Sequence, residues 1–247
     1  MGRLTEGVKH LLIVNVLFFV ATSLYGEVMY QWFALWFPKN ENFAIWQVLT
    51  HMFMHGGFAH IGFNMFALWM FGTPVERSLG MKKFLFIYFS AGLGAVLFQL
   101  GYYYFEYFPT YSNLIGSGLN GDQIVRMLTT NQASDALSTA QIDNLRAIFP
   151  IYNASMVGAS GCIMGILAAF GTMNPNAQLM MIFLPIPIKA KYFIPGIILL
   201  DVISALTGQS FFSPSNTAYM AHVGGAIFGF LIMWYWKKNQ FNDKRWN

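Results

Sequence analysis

Six side chains of types that carry acid–base or nucleophilic chemistry sit in apolar surroundings. They are Ser160 in MVGASGCIMG (156–165), His51, His55, His60 and Asn64 in THMFMHGGFAHIGFNMF (50–66), and His222 in AYMAHVGGAIFGF (218–230). A serine hydroxyl is a poor nucleophile until an adjacent base accepts its proton. Histidine can take that proton and later return it to a leaving amine. The oxyanion formed on attack needs preorganised donors, and Asn, His and backbone N–H groups suit that task. Ser160, His222, His60 and Asn64 supply each role once, with His60 and Asn64 on one helix face at i, i+4 spacing. What the set lacks is a buried carboxylate to orient the histidine.

Other chemistries fit less well. The G-x-S-x-G elbow of soluble hydrolases fails because Cys162 stands at its fifth position, and no H-E-x-x-H occurs for a zinc protease. His51, His55 and His60 suggest a metal cluster, but membrane di-iron desaturase patterns need more histidines than this chain has. The lone cysteine, Cys162, excludes an intramolecular disulfide and a Cys-based metal site. No metal is therefore expected. Asp201 is the one acid deep in an apolar stretch. It could orient a base or line a proton path, but a structural hydrogen bond or helix contact is the preferred reading. Glu76 and Arg77 read as a local structural pair.

The elements that would hold these residues are membrane helices. Of 247 residues, 56% are hydrophobic and only 10% charged, with a mean hydropathy of +0.48. Soluble domains carry about 25% charged residues. The apolar runs indicate six spans at about 10–25, 57–73, 83–104, 156–173, 191–208 and 218–236. The fold class expected is all-α, a polytopic membrane protein with six transmembrane helices. The first run has no clear cleavage site and reads as a retained helix. With six spans, Arg3, Lys9, Arg77, Lys82, Lys83, Lys189, Lys191, Lys237, Lys238, Lys244 and Arg245 share one side, eleven of the fourteen basic residues. The positive-inside rule makes that side cytoplasmic, with both termini on it. The net charge of +4 is thus explained without nucleic acid.

Spans two, four and six then run in the same direction and carry His60, Ser160 and His222 at similar depth. Intramembrane ionisable groups are costly, which makes each a functional candidate. Gly161, Gly165 and Ala169 form a small-residue stripe on span four, and Ala221, Gly225 and Gly229 form another on span six. Such stripes let helix backbones approach closely. If the two face each other, Ser160 and His222 come within hydrogen-bond reach. Residues 26–49, rich in Trp and Phe but broken by Pro38, read as an interfacial loop. Residues 105–155 read as a long polar connection, with a short capped helix from Ser138 to Ile148.

These blocks together resemble the rhomboid intramembrane serine proteases. The resemblance rests on HMFMHGGFAHIGFN, Gly-Thr-Pro-Val-Glu-Arg at 72–77, Gly158-Ala159-Ser160-Gly161, and Ala221-His222-Val223-Gly224-Gly225 with Gly229. It covers about residues 10–237 apart from the 105–155 connection, so one rhomboid-like membrane domain over 1–247 is expected. The resemblance implies a Ser160–His222 dyad and an oxyanion hole from His60, Asn64 and the Ser160 N–H. It implies a site open to the extracytoplasmic side of a bacterial-type inner (plasma) membrane, gated by span five and the loop over the site. It implies substrates that are transmembrane proteins within the lipid bilayer, and no cofactor. His51 and His55 match the family too and are read as structural hydrogen-bonding residues near the loop. Two positions depart from it. Trp46-Gln47 stands where the family often has Trp-Arg, so the loop network must differ. Met164 stands where many members carry an aromatic that packs on the catalytic histidine. The competing reading is a non-proteolytic membrane protein, a small transporter or a substrate-binding relative. No internal repeat of the transporter kind is evident, and the polar residues cluster near one surface.

Overall fold

A computed structural model describes residues 3–181, 184–209 and 218–239. Lys244 and Arg245, and residues 210–217 of the loop expected over the site, lie outside the described residues. The chain opens with α1 (Glu6–Tyr25), α2 (Glu27–Phe33), the two-residue strand β1 (Leu35–Trp36) and α3 (Gln47–Thr50). A 3-10 turn (His51–Phe53) leads into α4 (Phe58–Ala67), a π turn (Leu68–Gly72) and α5 (Thr73–Leu79). Then come α6 (Met81–Gly116), α7 (Gly121–Thr130), α8 (Thr139–Tyr152), strand β2 (Ser155–Met156) and α9 (Ser160–Met173). An antiparallel pair, β3 (Gln178–Met181) with β4 (Leu184–Lys189), precedes α10 (Ala190–Thr207) and α11 (Tyr219–Asn239).

The protein is a helical membrane bundle. Helices α1, α6 and α10 are each long and apolar enough to cross a bilayer. The expected second span is not one regular helix but α4, the π turn and α5 in sequence. Helix α9 begins at Ser160 rather than at 156, and every residue from Gly161 to Ala169 is buried. A helix apolar all round belongs in the interior, and α9 packs between α6 and α11. Val8, Met52, Leu68, Val75, Phe84, Ile87, Tyr88 and Ile166 form the fully buried core around it.

Small residues permit that packing. A Cβ placed on Gly225 would lie 2.0 Å from the Gly161 carbonyl oxygen, and one on Gly229 2.1 Å from that of Gly165. The two stripes therefore do face each other. A third helix joins them: a Cβ on Gly161 would meet Ala95, one on Gly165 would meet Ala91, and one on Gly224 would meet the Gly94 carbonyl. Hydrocarbon offers no hydrophobic force between helices, so close van der Waals contact of this kind holds them together.

Glu76 does not pair with Arg77. Its buried carboxylate accepts from the Thr5 hydroxyl at 2.5 Å and from the Gly7 and Val8 N–H groups at 2.8 Å. It thus caps α1, whose first N–H groups have no partner within the helix. Arg77 donates instead to the Arg3 carbonyl.

Helix α6 runs to Gly116 through Pro109, well past the expected end near 104. At 1.5 Å per residue its 36 residues reach about 54 Å, against about 30 Å of hydrocarbon. The connection that follows is largely helical. Asn120 caps α7 and Ser138 caps α8, each in a reciprocal capping box with a glutamine, Gln123 and Gln141. The expected helix from Ser138 is therefore present and runs on to Tyr152. Helices α7 and α8 cover the extension of α6 with their own core of Tyr107, Leu114, Ile124, Leu128, Ile148 and Tyr152. Phe37 of the first loop joins that core, and Asn40 donates to the Tyr152 carbonyl.

The first loop is organised by Gln47. Its Oε1 accepts from the Trp36 and Ala44 N–H groups, and its Nε2 donates to the Gln31 and Asn42 carbonyls. A neutral amide, able to donate and accept at once, does here what a donor-only guanidinium could not. Gln47→Ala is expected to lower stability by about 2–3 kcal/mol, because four backbone groups lose their partner. Thermal unfolding in detergent measures this, with a Tm equal to that of the parent as the contrary result.

Candidate functional site

Ser160 is placed by the segment before it. Strand β2 pairs antiparallel with β1, Leu35 opposite Met156 and Trp36 opposite Ser155. The Gly158 N–H then donates to the His51 carbonyl at 2.9 Å, and Gly158 turns with φ 129°. A left-handed φ of this kind favours glycine. A side-chain carbon there would also sit 2.8 Å from His60 Nε2 and 3.7 Å from Ser160 Oγ. Gly158 is small so that His60 and Ser160 can approach one another. Helix α9 starts directly at the serine, and its first backbone bond runs from Ile163 to Ala159. The N–H groups of Ser160 and Gly161 therefore have no partner within the helix and lie at its positive end.

His222 stands one turn into α11. The Gln99 side chain of α6 accepts from the Ala221 N–H at 3.1 Å and fixes that first turn. The His222 ring engages on both sides. Nε2 lies 2.9 Å from Ser160 Oγ, and Nδ1 lies 3.1 Å from Asp201 Oδ2. Asp201 is buried on α10. The sequence favoured a structural hydrogen bond or helix contact for Asp201 over orienting a base, and the partner it meets is the ring of His222. Ser160, His60 and His222 are only partly buried, so the site is not sealed. A crevice of about 440 Å³ lies between α6, α10 and the start of α11, lined by Gln99, Tyr102, Ser204, Tyr219 and Met220 among others.

His60 and Asn64 sit on α4. The Asn64 amide is buried and donates to the His60 carbonyl at 2.9 Å, the i−4 position of its own helix. His60 thus reaches the neighbourhood of Ser160, whereas the Asn64 amide is engaged with its own helix backbone. His51 Nδ1 donates to the Gln47 carbonyl at 2.8 Å, the structural role expected of it. His55, expected to be a structural hydrogen-bonding residue, is instead buried edge-on against His60, ring centroids 5.0 Å apart, and its ring nitrogens form no well-shaped hydrogen bond among the described residues. Burial pushes both His51 and His55 down to about 4, with the neighbouring His60 adding to the shift at His55. Both rings are accordingly neutral near pH 7. Met164 is buried in the core of α9.

Sequence reasoning missed one residue that braces the site. Gln99 on α6 carries no motif. Asp201 did carry a signal, since an acid deep in an apolar helix is a functional candidate by default.

Among known proteins, the family described as the Rhomboid domain matches residues 42–239, which hold Ser160, His222, Asp201, His60 and Asn64. The human presenilin-associated rhomboid-like protein, mitochondrial, is 27% identical over 206 residues, covering 81% of this chain and 41% of that protein. Rhomboid protein 1, mitochondrial, of Saccharomyces cerevisiae is 26% identical over 192 residues, covering 77% of this chain and 42% of its own. Rhomboid protease AarA of Providencia stuartii is 28% identical over 196 residues, 76% of this chain and 54% of that one. The chain thus spans about two fifths to one half of the length of the relatives it matches. With the domain match running unbroken from the first loop through α4, α9, α10 and α11, this membrane protein belongs to the rhomboid family.

Proposed function

We propose that the protein is an intramembrane serine endopeptidase that cleaves transmembrane segments of other membrane proteins, with Ser160 as nucleophile and His222 as general base. The observation that carries this reading is the 2.9 Å approach of Ser160 Oγ to His222 Nε2. In the proposed reaction Ser160 Oγ attacks the scissile carbonyl carbon while its proton passes to His222 Nε2. The carbonyl oxygen becomes an oxyanion. Donors for it are the Ser160 N–H at the helix start, which has no partner within the helix, His60 beside Gly158, and the second N–H of the Asn64 amide, which the His60 carbonyl does not use. Collapse breaks the C–N bond, and His222 returns its proton to the departing amine. A water molecule, deprotonated by His222, then hydrolyses the acyl-enzyme. The partial exposure of Ser160, His60 and His222 supplies the access that such a water needs.

Six crossings, with both termini cytoplasmic and the site opening to the extracytoplasmic face of a bacterial-type inner membrane, complete the proposal. Its support is the placement of basic residues, eleven of fourteen on one side of a six-span arrangement. A relative named as a rhomboid protease, AarA, supports the class of reaction.

Labelling with a serine-directed fluorophosphonate probe tests the chemistry. The full-length protein is expected to label, and both Ser160→Ala and His222→Ala to lose labelling and cleavage of a model transmembrane substrate by about 10³-fold or more. Labelling and cleavage that persist in Ser160→Ala would overturn the assignment and favour a non-proteolytic role.

A further inference from the structure

We infer that Asp201 is a positioning residue for this site, holding the His222 ring through Nδ1 so that Nε2 is aimed at Ser160. The inference rests on the Ser160–His222 reading above, and adds a third member to the dyad that the family resemblance implies. Three different helices converge here: Asp201 on α10, His222 on α11 and Ser160 on α9. The contacts, 3.1 Å at Nδ1 and 2.9 Å at Nε2, engage both ring nitrogens at once. The side chains are 9% exposed for Asp201 and 13% for His222. A carboxylate held that deep in an apolar helix is costly unless it is paired. The partner supplied is this imidazole.

The chemistry follows from what each group can donate. An ionised carboxylate only accepts, so a neutral His222 carries its hydrogen on Nδ1 toward Asp201. That leaves the Nε2 lone pair for the Ser160 hydroxyl. Without Asp201 the ring is free to take the other tautomer, in which Nε2–H faces the serine and cannot accept its proton. When the Ser160 proton does move to Nε2, the ring becomes a cation with a carboxylate 3.1 Å from its far nitrogen. Attraction across such a distance is far stronger inside a protein than in water. Asp201 takes no proton in the cycle.

The rival role for Asp201 is a bolt between α10 and α11 that matters only for folding. Full-length protein in liposomes, with a model transmembrane substrate and the fluorophosphonate probe, separates the two. Asp201→Asn keeps the shape and removes the charge, and Asp201→Ala removes the partner altogether. Both are expected to lower kcat by on the order of 10⁴-fold, the loss seen when other Ser-His-Asp sets lose their acid. KM is expected within about twofold of the parent, on the principle that a group acting only in the transition state leaves ground-state binding alone. Probe labelling of Ser160 should slow in parallel with kcat, with Tm held. Parental kcat in both variants overturns the proposal, and so does a loss of activity that tracks a loss of Tm in both. Ser160→Ala is measured alongside. If it still cleaves and labels, the nucleophile assignment fails; if it is dead while both Asp201 variants keep parental kcat, only the role of Asp201 fails.

Discussion

Gly225→Val is expected to lose probe labelling of Ser160 by about 10²-fold or more, a size typical of reacting groups displaced by about 1 Å. The reason is local. Even the first added carbon would fall 2.0 Å from the Gly161 carbonyl oxygen, a backbone atom that cannot rotate away. Non-bonded carbon contacts settle at about 3.5–4 Å, so α11 has to retreat from α9 by more than about 1 Å. Gly161 follows Ser160 directly and Gly225 lies three residues after His222, so the retreat opens the 2.9 Å contact between them. Overpacking adds a stability loss of about 1–3 kcal/mol. Gly101→Ala is the control, because a Cβ there meets nothing within 4 Å. It should keep full labelling, and replacing a helical glycine stabilises by up to about 1 kcal/mol. Full labelling in Gly225→Val would show that the stripe is not what brings the two helices into register.

That dependence was partly legible in the sequence. A period of four in glycine and alanine is a property of the chain, and it marks a face before any partner is known. What the period could not reveal is that the α9–α11 contact is completed by Ala91, Gly94 and Ala95 of α6, since small residues in an apolar run are also ordinary filler. Capping signals are equally local, and Ser138 marked the start of α8. The extent of α6 was not local. The span was expected to end near 104, yet α7 and α8 bury Tyr107 and Leu114 and keep the helix going. Tertiary contact overrode composition there. The π turn at Leu68–Gly72 has no composition signature at all, being a change in hydrogen-bond register rather than in residue type.

The site divides in the same way. Ser160 and His222 were identified because their neighbours repeat a pattern and their helices run in the same direction. Asp201 lies 21 residues before His222 and on another helix, so only folding shows that its carboxylate meets Nδ1. Gln47 was recognised as a departure from the family, but its four hydrogen bonds are made to backbone groups brought together by the loop. Backbone groups carry no mark in the sequence.

Glu76→Ala is expected to lower stability by about 3 kcal/mol or more, the scale of losing several hydrogen bonds to one buried charge. The substitution leaves the Gly7 and Val8 N–H groups without an acceptor, and Val8 is fully buried, so water does not replace the lost oxygen easily. The carboxylate also sits at the positive end of α1, a favourable place for negative charge that alanine forfeits. Glu76→Gln should fall between the two, keeping one acceptor while turning an NH₂ group toward donors. Gly7→Ala attacks the same contact from the other side, since its Cβ would lie 2.9 Å from Glu76 Oε1. Thermal unfolding reads these losses, and a drop of roughly 6–12 °C corresponds to 3 kcal/mol in a chain of this size. Sixteen residues separate His60 from Glu76 along the second span, about 24 Å of helical rise. The protein that stays folded should therefore keep its rate of probe labelling at Ser160. A parental Tm in Glu76→Ala would show that α1 needs no anchor at this end, and a fall in labelling at unchanged Tm would tie Glu76 to the site rather than to the bundle.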